Sequence, residues 1–249
     1  MSVLILALTA GAVVGLALGA LGGGGSVLAV PALIYLLGFT PAAATTASLI
    51  IVTATSLTAL YAHARTGNVR WKSGALFAAA GLLPAAAAGA VASRLPQALL
   101  TAVFAAVAAL AAVRMLRPGR TDGARTTRAR PVWAAGTGAG LGALTGLLGV
   151  GGGFLAVPAL VTVLAFEMQA AVGTSLLVIS ANSLASLATR GATDAGIDWT
   201  VIGPFTGAAI LGAWDGKRLA TKVTGTGLQR TFAVVLLAVA GYMLIDAFV

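Results

Sequence analysis

Charge along this chain is confined to short clusters, separated by long stretches that have none. Residues 2–38 carry no charged side chain, residues 39–64 hold only His63, and residues 73–93, 95–113, 131–166, 168–189, 199–214 and 231–245 are again uncharged. A helix that crosses a bilayer needs about 20 mostly apolar residues. Segments 42–64, 73–93, 95–116, 168–189, 199–217 and 229–248 each meet that requirement as single spans. Ala and Leu dominate them and two-residue alternation is scarce, so the pattern predicts helices rather than a barrel.

Two stretches do not fit as single spans. Residues 2–38 and 132–166 are each too long for one helix and too short for two full ones. Each is interrupted by glycine, as Gly22-Gly23-Gly24-Gly25 in the first and Gly149-Val150-Gly151-Gly152-Gly153 in the second. The pieces that follow, 26–38 and 154–166, are 13 residues long. At about 1.5 Å per residue that is roughly 20 Å, short of a hydrocarbon core of about 30 Å. Each stretch is therefore expected to be a broken hairpin whose two helices meet near the membrane midplane.

These two stretches are copies of one another. GLALGALGGGGSVLAVPAL at 15–33 aligns with GALTGLLGVGGGFLAVPAL at 142–160, with 12 of 19 positions identical at an offset of 127. The match continues through Ser48 and Ser175, Ser56 and Ser183, and, one residue of drift later, Trp71 and Trp199. The chain divides into a first membrane repeat at 1–116, a basic linker at 117–131 and a second repeat at 132–249. Lys and Arg in short loops mark the cytoplasmic side of a membrane protein. If the halves are inverted, the loops at 65–72, 114–130 and 215–230 lie inside and hold 13 of the 15 Lys and Arg. Parallel halves leave only 10 inside. The expected fold is thus all-α and polytopic, with two inverted-topology repeats, each a Gly-broken hairpin plus three transmembrane helices. The expected location is the plasma membrane (the inner membrane of a bacterial cell), multi-pass, with the central loop cytoplasmic and both termini outside. Broken helices in inverted repeats are a frequent architecture of secondary transporters.

Composition narrows the chemistry. Only 8% of residues are charged and 59% are hydrophobic, against about 25% charged in a soluble domain. The net charge of +9 does not imply nucleic acid, because the basic residues sit between apolar segments and not along one face. With no cysteine and one histidine, thiolate and multi-histidine metal sites are excluded. No nucleophile–base constellation is visible, so an enzyme is not expected, and neither is a cofactor. The opening MSVLILALTAG has no basic residue ahead of its apolar run, so residues 2–21 are read as mature protein rather than a signal peptide.

The doubled Gly-run, the V-P-A-L that follows it, and Thr46-Ala47-Ser48-Leu49 with Gly173-Thr174-Ser175-Leu176 resemble the sulfite exporter TauE/SafE family of membrane permeases. The resemblance covers nearly the whole chain. It implies export of sulfite or small organosulfonates.

The residues themselves suggest how an anion would be held. A helix that starts at Ser26 or Phe154 leaves its first N–H groups without intrahelical partners, and its N-terminus favours anions. Glycine lets a ligand approach the backbone. The candidate substrate-binding residues are Gly23, Gly24, Gly25, Ser26, Gly151, Gly152, Gly153 and Phe154, with Thr46, Ser48, Thr174 and Ser175 as hydroxyl donors. His63 and Arg190 occupy equivalent repeat positions and are candidate mouth or coupling residues, beside the blander reading of charges snorkelling at helix ends. Glycines outside the runs, such as Gly11, Gly136 and Gly207, are read as packing contacts. The expected partners are a small anionic substrate, the lipid bilayer and a second copy in a homodimer. The readings that compete with a secondary exporter are an anion channel and a non-conducting membrane scaffold.

Overall fold

The computed structural model describes residues 2–92, 97–116, 136, 138–143, 155–162, 164–190 and 198–248. The basic linker and Gly151, Gly152, Gly153 and Phe154 lie outside the described residues. What is described is all helical, without a strand. In chain order the elements are α1 (Ser2–Leu21), α2 (Gly24–Pro31) continued by a π-helical turn (Ala32–Leu36), α3 (Pro41–Ala64), α4 (Trp71–Ala92), α5 (Gln97–Leu116), a helical segment at 138–143, α6 (Ala156–Thr162), α7 (Met168–Arg190), α8 (Trp199–Lys222) and α9 (Gly225–Phe248).

α1 ends where the glycine run was expected to break the stretch. It runs unbroken for 20 residues, about 30 Å, and Val3–Leu21 is long and apolar enough to cross a membrane by itself, as are Ala43–Ala64 and Met168–Leu187. The break at Gly22–Gly23 therefore follows a full-length helix. Nothing in residues 2–21 interrupts helix propagation, and the chain turns only where Gly22 adopts φ +68°, a conformation that excludes most other residues. The return leg, α2 and the π turn, is short as expected. Pro31 marks the change from α to π register. The leg closes on left-handed Gly38 (φ +69°), where Gly38 N–H donates to the Ile34 carbonyl and Phe39 N–H to that of Leu33, a glycine-made helix end one residue wider than the usual one, after the π turn. Its repeat-mate position holds Ala165 at φ 52°, and Phe166 N–H likewise donates to the Leu160 carbonyl. The same turn is thus built twice, the second time on a residue that favours it less.

Small residues bring the helices together. A Cβ on Gly11, Gly15 or Gly19 would collide with the backbone of Phe205, Ala209 or Ala213, and one on Gly212 or Gly216 with that of α1. The numbers on α1 and α8 rise together, so the two run parallel at backbone contact, the small-xxx-small packing of membrane helices. The same contact recurs across the repeat. Gly138 meets the Phe77 backbone as Gly11 meets that of Phe205, and Gly142 meets Gly81 as Gly15 meets Ala209. The packing reading of Gly11 holds. For Gly136 and Gly207 it fails, since a Cβ there meets nothing within 4 Å.

α3 and α7 form the centre. Ser56 on α3 bonds Ser180 on α7. Seven residues further along α3, His63 packs against Gly173, seven residues earlier on α7. The two helices are therefore antiparallel, with Ile51, Leu176 and Ile179 buried along them.

Candidate functional site

The first glycine run sits in the protein interior. Gly22 and Gly23 are buried, and a Cβ on Gly22 would lie 2.5 Å from the Ser175 hydroxyl and 3.3 Å from Val157 and from the Val172 carbonyl. Left-handed Gly22 is followed by right-handed Gly23, an alternation that turns successive N–H groups toward one concavity. α2 then starts at Gly24 with no side-chain cap from Gly23. The first N–H groups of α2, those of Gly24, Gly25 and Ser26, have no intrahelical acceptor.

Around this turn the chain assembles the end of α3, the loop after it, and the start of α7. The His63 side chain is buried, 3% exposed. Its Nε2 lies 3.3 Å from the Gly19 carbonyl; a carbonyl only accepts, so Nε2 carries the hydrogen. Nδ1 is buried without a partner. Gly173 has no room for a side chain against the Asn68 carbonyl, and Arg70 N–H donates to Thr174 Oγ1 at 3.1 Å. Gly22, Gly23, His63, Thr174 and Ser175 thus lie at one end of the bundle, contributed by both halves of the chain.

Thr46 and Ser48 are elsewhere. Because α3 and α7 are antiparallel, Ser48 lies roughly 20 Å along the bundle from Ser175, counted at about 1.5 Å per residue. α7 ends at Arg190, also at the Ser48 end and opposite His63. The hydroxyl residues expected to share one site are thus set apart along the bundle: the repeat places equivalent residues at opposite ends of antiparallel helices. The donor role expected of the hydroxyls changes too. Ser48 donates its hydrogen to the Thr45 carbonyl and Ser175 to that of Val172, each at 2.8 Å. A hydroxyl has one hydrogen, so both are acceptors toward anything else.

Sequence reasoning did not single out the Asn68–Arg70 loop or the Gly19 carbonyl, whose roles depend on what folds against them. Among the described residues, His63 is the one buried ionisable side chain. No three His, Cys, Asp or Glu among them gather as metal ligands would, and the Asp215–Arg218 ion pair is on the surface.

Against known proteins, the profile of the family described as Sulfite exporter TauE/SafE matches residues 7–243. Two relatives, each described as a probable membrane transporter protein, come from Xylella fastidiosa strains 9a5c and Temecula1 / ATCC 700964. Each is 34% identical over 97% of this chain and 95% of the relative. No solved structure matches.

Proposed function

This chain belongs to the sulfite exporter TauE/SafE family, and on that premise we propose that it is a secondary exporter of small sulfur-containing anions such as sulfite or organosulfonates, working by alternating access between two inverted repeats. The observation that carries the reading is the buried glycine turn at Gly22–Gly23, opening a helix whose first N–H groups have no intrahelical acceptor, in a wall without a buried Lys or Arg among the described residues. Backbone donors at a helix start attract an anion without the desolvation of a fixed charge. Such a site binds and also releases.

The second run, Gly151–Gly152–Gly153–Phe154, is assigned the equivalent role on the strength of the repeat, and Val157, three residues after it, lies against the Gly22 turn. Inversion is supported by the antiparallel α3 and α7, by the recurring Gly–backbone contacts and by the loop charges. The decisive assay uses purified protein in liposomes. Radiolabelled sulfite should be moved against its gradient when a proton or sodium gradient is imposed, and an ionophore should abolish the accumulation. Passive flux indifferent to the ionophore would make the protein a channel; no flux of sulfite, sulfoacetate or taurine would leave a scaffold.

The same reading places the central loop in the cytoplasm and residues 191–198 outside. The chain has no cysteine, so single cysteines report cleanly. In intact cells an impermeant thiol reagent should label Thr193→Cys and spare Thr126→Cys; the reverse pattern would refute the orientation.

A further inference from the structure

The crossing of α3 and α7 lies near the middle of both helices and is lined with buried hydroxyls: Thr53, Thr55 and Ser56 from α3, Ser180 and Ser183 from α7. All but one have partners. Thr53 donates to the Leu49 carbonyl and Thr55 to that of Ile51, each at 2.6 Å. Ser56 reaches the Thr53 carbonyl at 3.2 Å, and Ser180 reaches the Leu176 carbonyl at 2.8 Å and Ser56 Oγ at 2.9 Å. Ser183 Oγ is buried, the residue 1% exposed, and has no partner.

The internal repeat makes this uneven pairing informative. At the offset of 127, Ser183 is the mate of Ser56, and Ser180 is the mate of Thr53. The mate of the Ser56–Ser180 bond is therefore Ser183–Thr53. One of two equivalent bonds is made and the other is not. Because the helices are antiparallel, the two pairs are three residues apart along each helix, just under one turn, with Ser56–Ser180 on the His63 side and Thr53–Ser183 on the opposite side. A hydroxyl left unsatisfied in an apolar interior is unfavourable, unless another conformation satisfies it.

We propose that Ser56–Ser180 and Thr53–Ser183 are alternative hydrogen bonds, each pinning α3 to α7 on one side of their crossing, and that exchange between them is the switch between its two access states. The described conformation is pinned on the His63 side. This rests on the inverted-repeat transport reading.

Ala44 and Ala171 are repeat-mates near the starts of α3 and α7, at opposite ends, and both are 0% exposed. Each is replaced by cysteine in the wild-type, Ser56→Ala and Ser183→Ala backgrounds, and the rate of labelling by a small thiol reagent is measured in detergent, where both ends meet the reagent. Ser56→Ala removes the bond that is made. Ala171→Cys should then label about threefold faster and Ala44→Cys correspondingly slower, the scale of an average interhelical hydrogen bond in a membrane. Ser183→Ala removes the alternative bond and should shift both reporters the opposite way. It deletes a group that has no partner, so folding is not at risk, and a thermal midpoint checks this for both variants. Shifts in the same direction, or none, overturn the switch. Sulfite flux by the wild type separates the two ideas: opposed labelling shifts without flux remove the transport reading alone, and flux with unchanged labelling removes the switch alone.

Discussion

Gly25→Val should abolish transport in a protein that still folds. Gly25 is the second residue of α2, and a β-branched residue in a helix costs only about 0.5 kcal/mol. What the valine is expected to change is access, since its added bulk lies in the first turn of α2, whose N–H groups have no intrahelical acceptor. A hydrogen bond to a charged group contributes about 1.5–3 kcal/mol, so sulfite affinity should fall at least about tenfold. Gly152→Val, its repeat-mate, should do the same. His63→Gln should do less, because the attraction comes from backbone donors and not from a titrating ring. Gly22→Val is no substitute for this test: at φ +68° and against Ser175 it disrupts the turn itself. The measurement is flux per monodisperse molecule in liposomes. Normal specific activity in both Gly25→Val and Gly152→Val would remove the glycine runs from the site.

The opposite pattern is expected of Gly15→Val. A Cβ at Gly15 would penetrate the carbonyl, carbon and Cα of Ala209, all backbone, so no side chain can swing aside. α1 and α8 must separate, and because α8 also packs on α3 the displacement reaches the centre of the bundle. Overpacking of this kind costs roughly 1–3 kcal/mol even where side chains can yield. Size exclusion after extraction should show loss of the monodisperse species, and any surviving protein should melt at lower temperature. Gly207→Val, whose Cβ meets nothing within 4 Å, should be tolerated. Equal behaviour of Gly15→Val and Gly207→Val would mean that the close approach of α1 to α8 is not required.

Much of the architecture was legible without coordinates. Six segments delimited by charge became α3, α4, α5, α7, α8 and α9 within a few residues, because hydrocarbon excludes charge and leaves the backbone no partner except itself. The short return leg after Gly25 was legible for the same reason, from its length alone. The end of α1 was legible from the glycine run at 22–25; the left-handed φ at Gly22 that makes the turn was not.

The amino-acid sequence by itself determined the solvent, the helices and the doubling of the chain, since these depend on composition and order along a line. Which faces meet was decided only by the tertiary structure. These helices are apolar on nearly every side, and a helix without a polar face carries no signal of its rotation. So Gly11 became a contact and Gly207 did not, Ser175 came to the first glycine turn while Ser48 went to the far end, and His63 found the Gly19 carbonyl. The antiparallel crossing of α3 and α7 decided these distances, and it set Ser56 on Ser180 while leaving Ser183 without a partner.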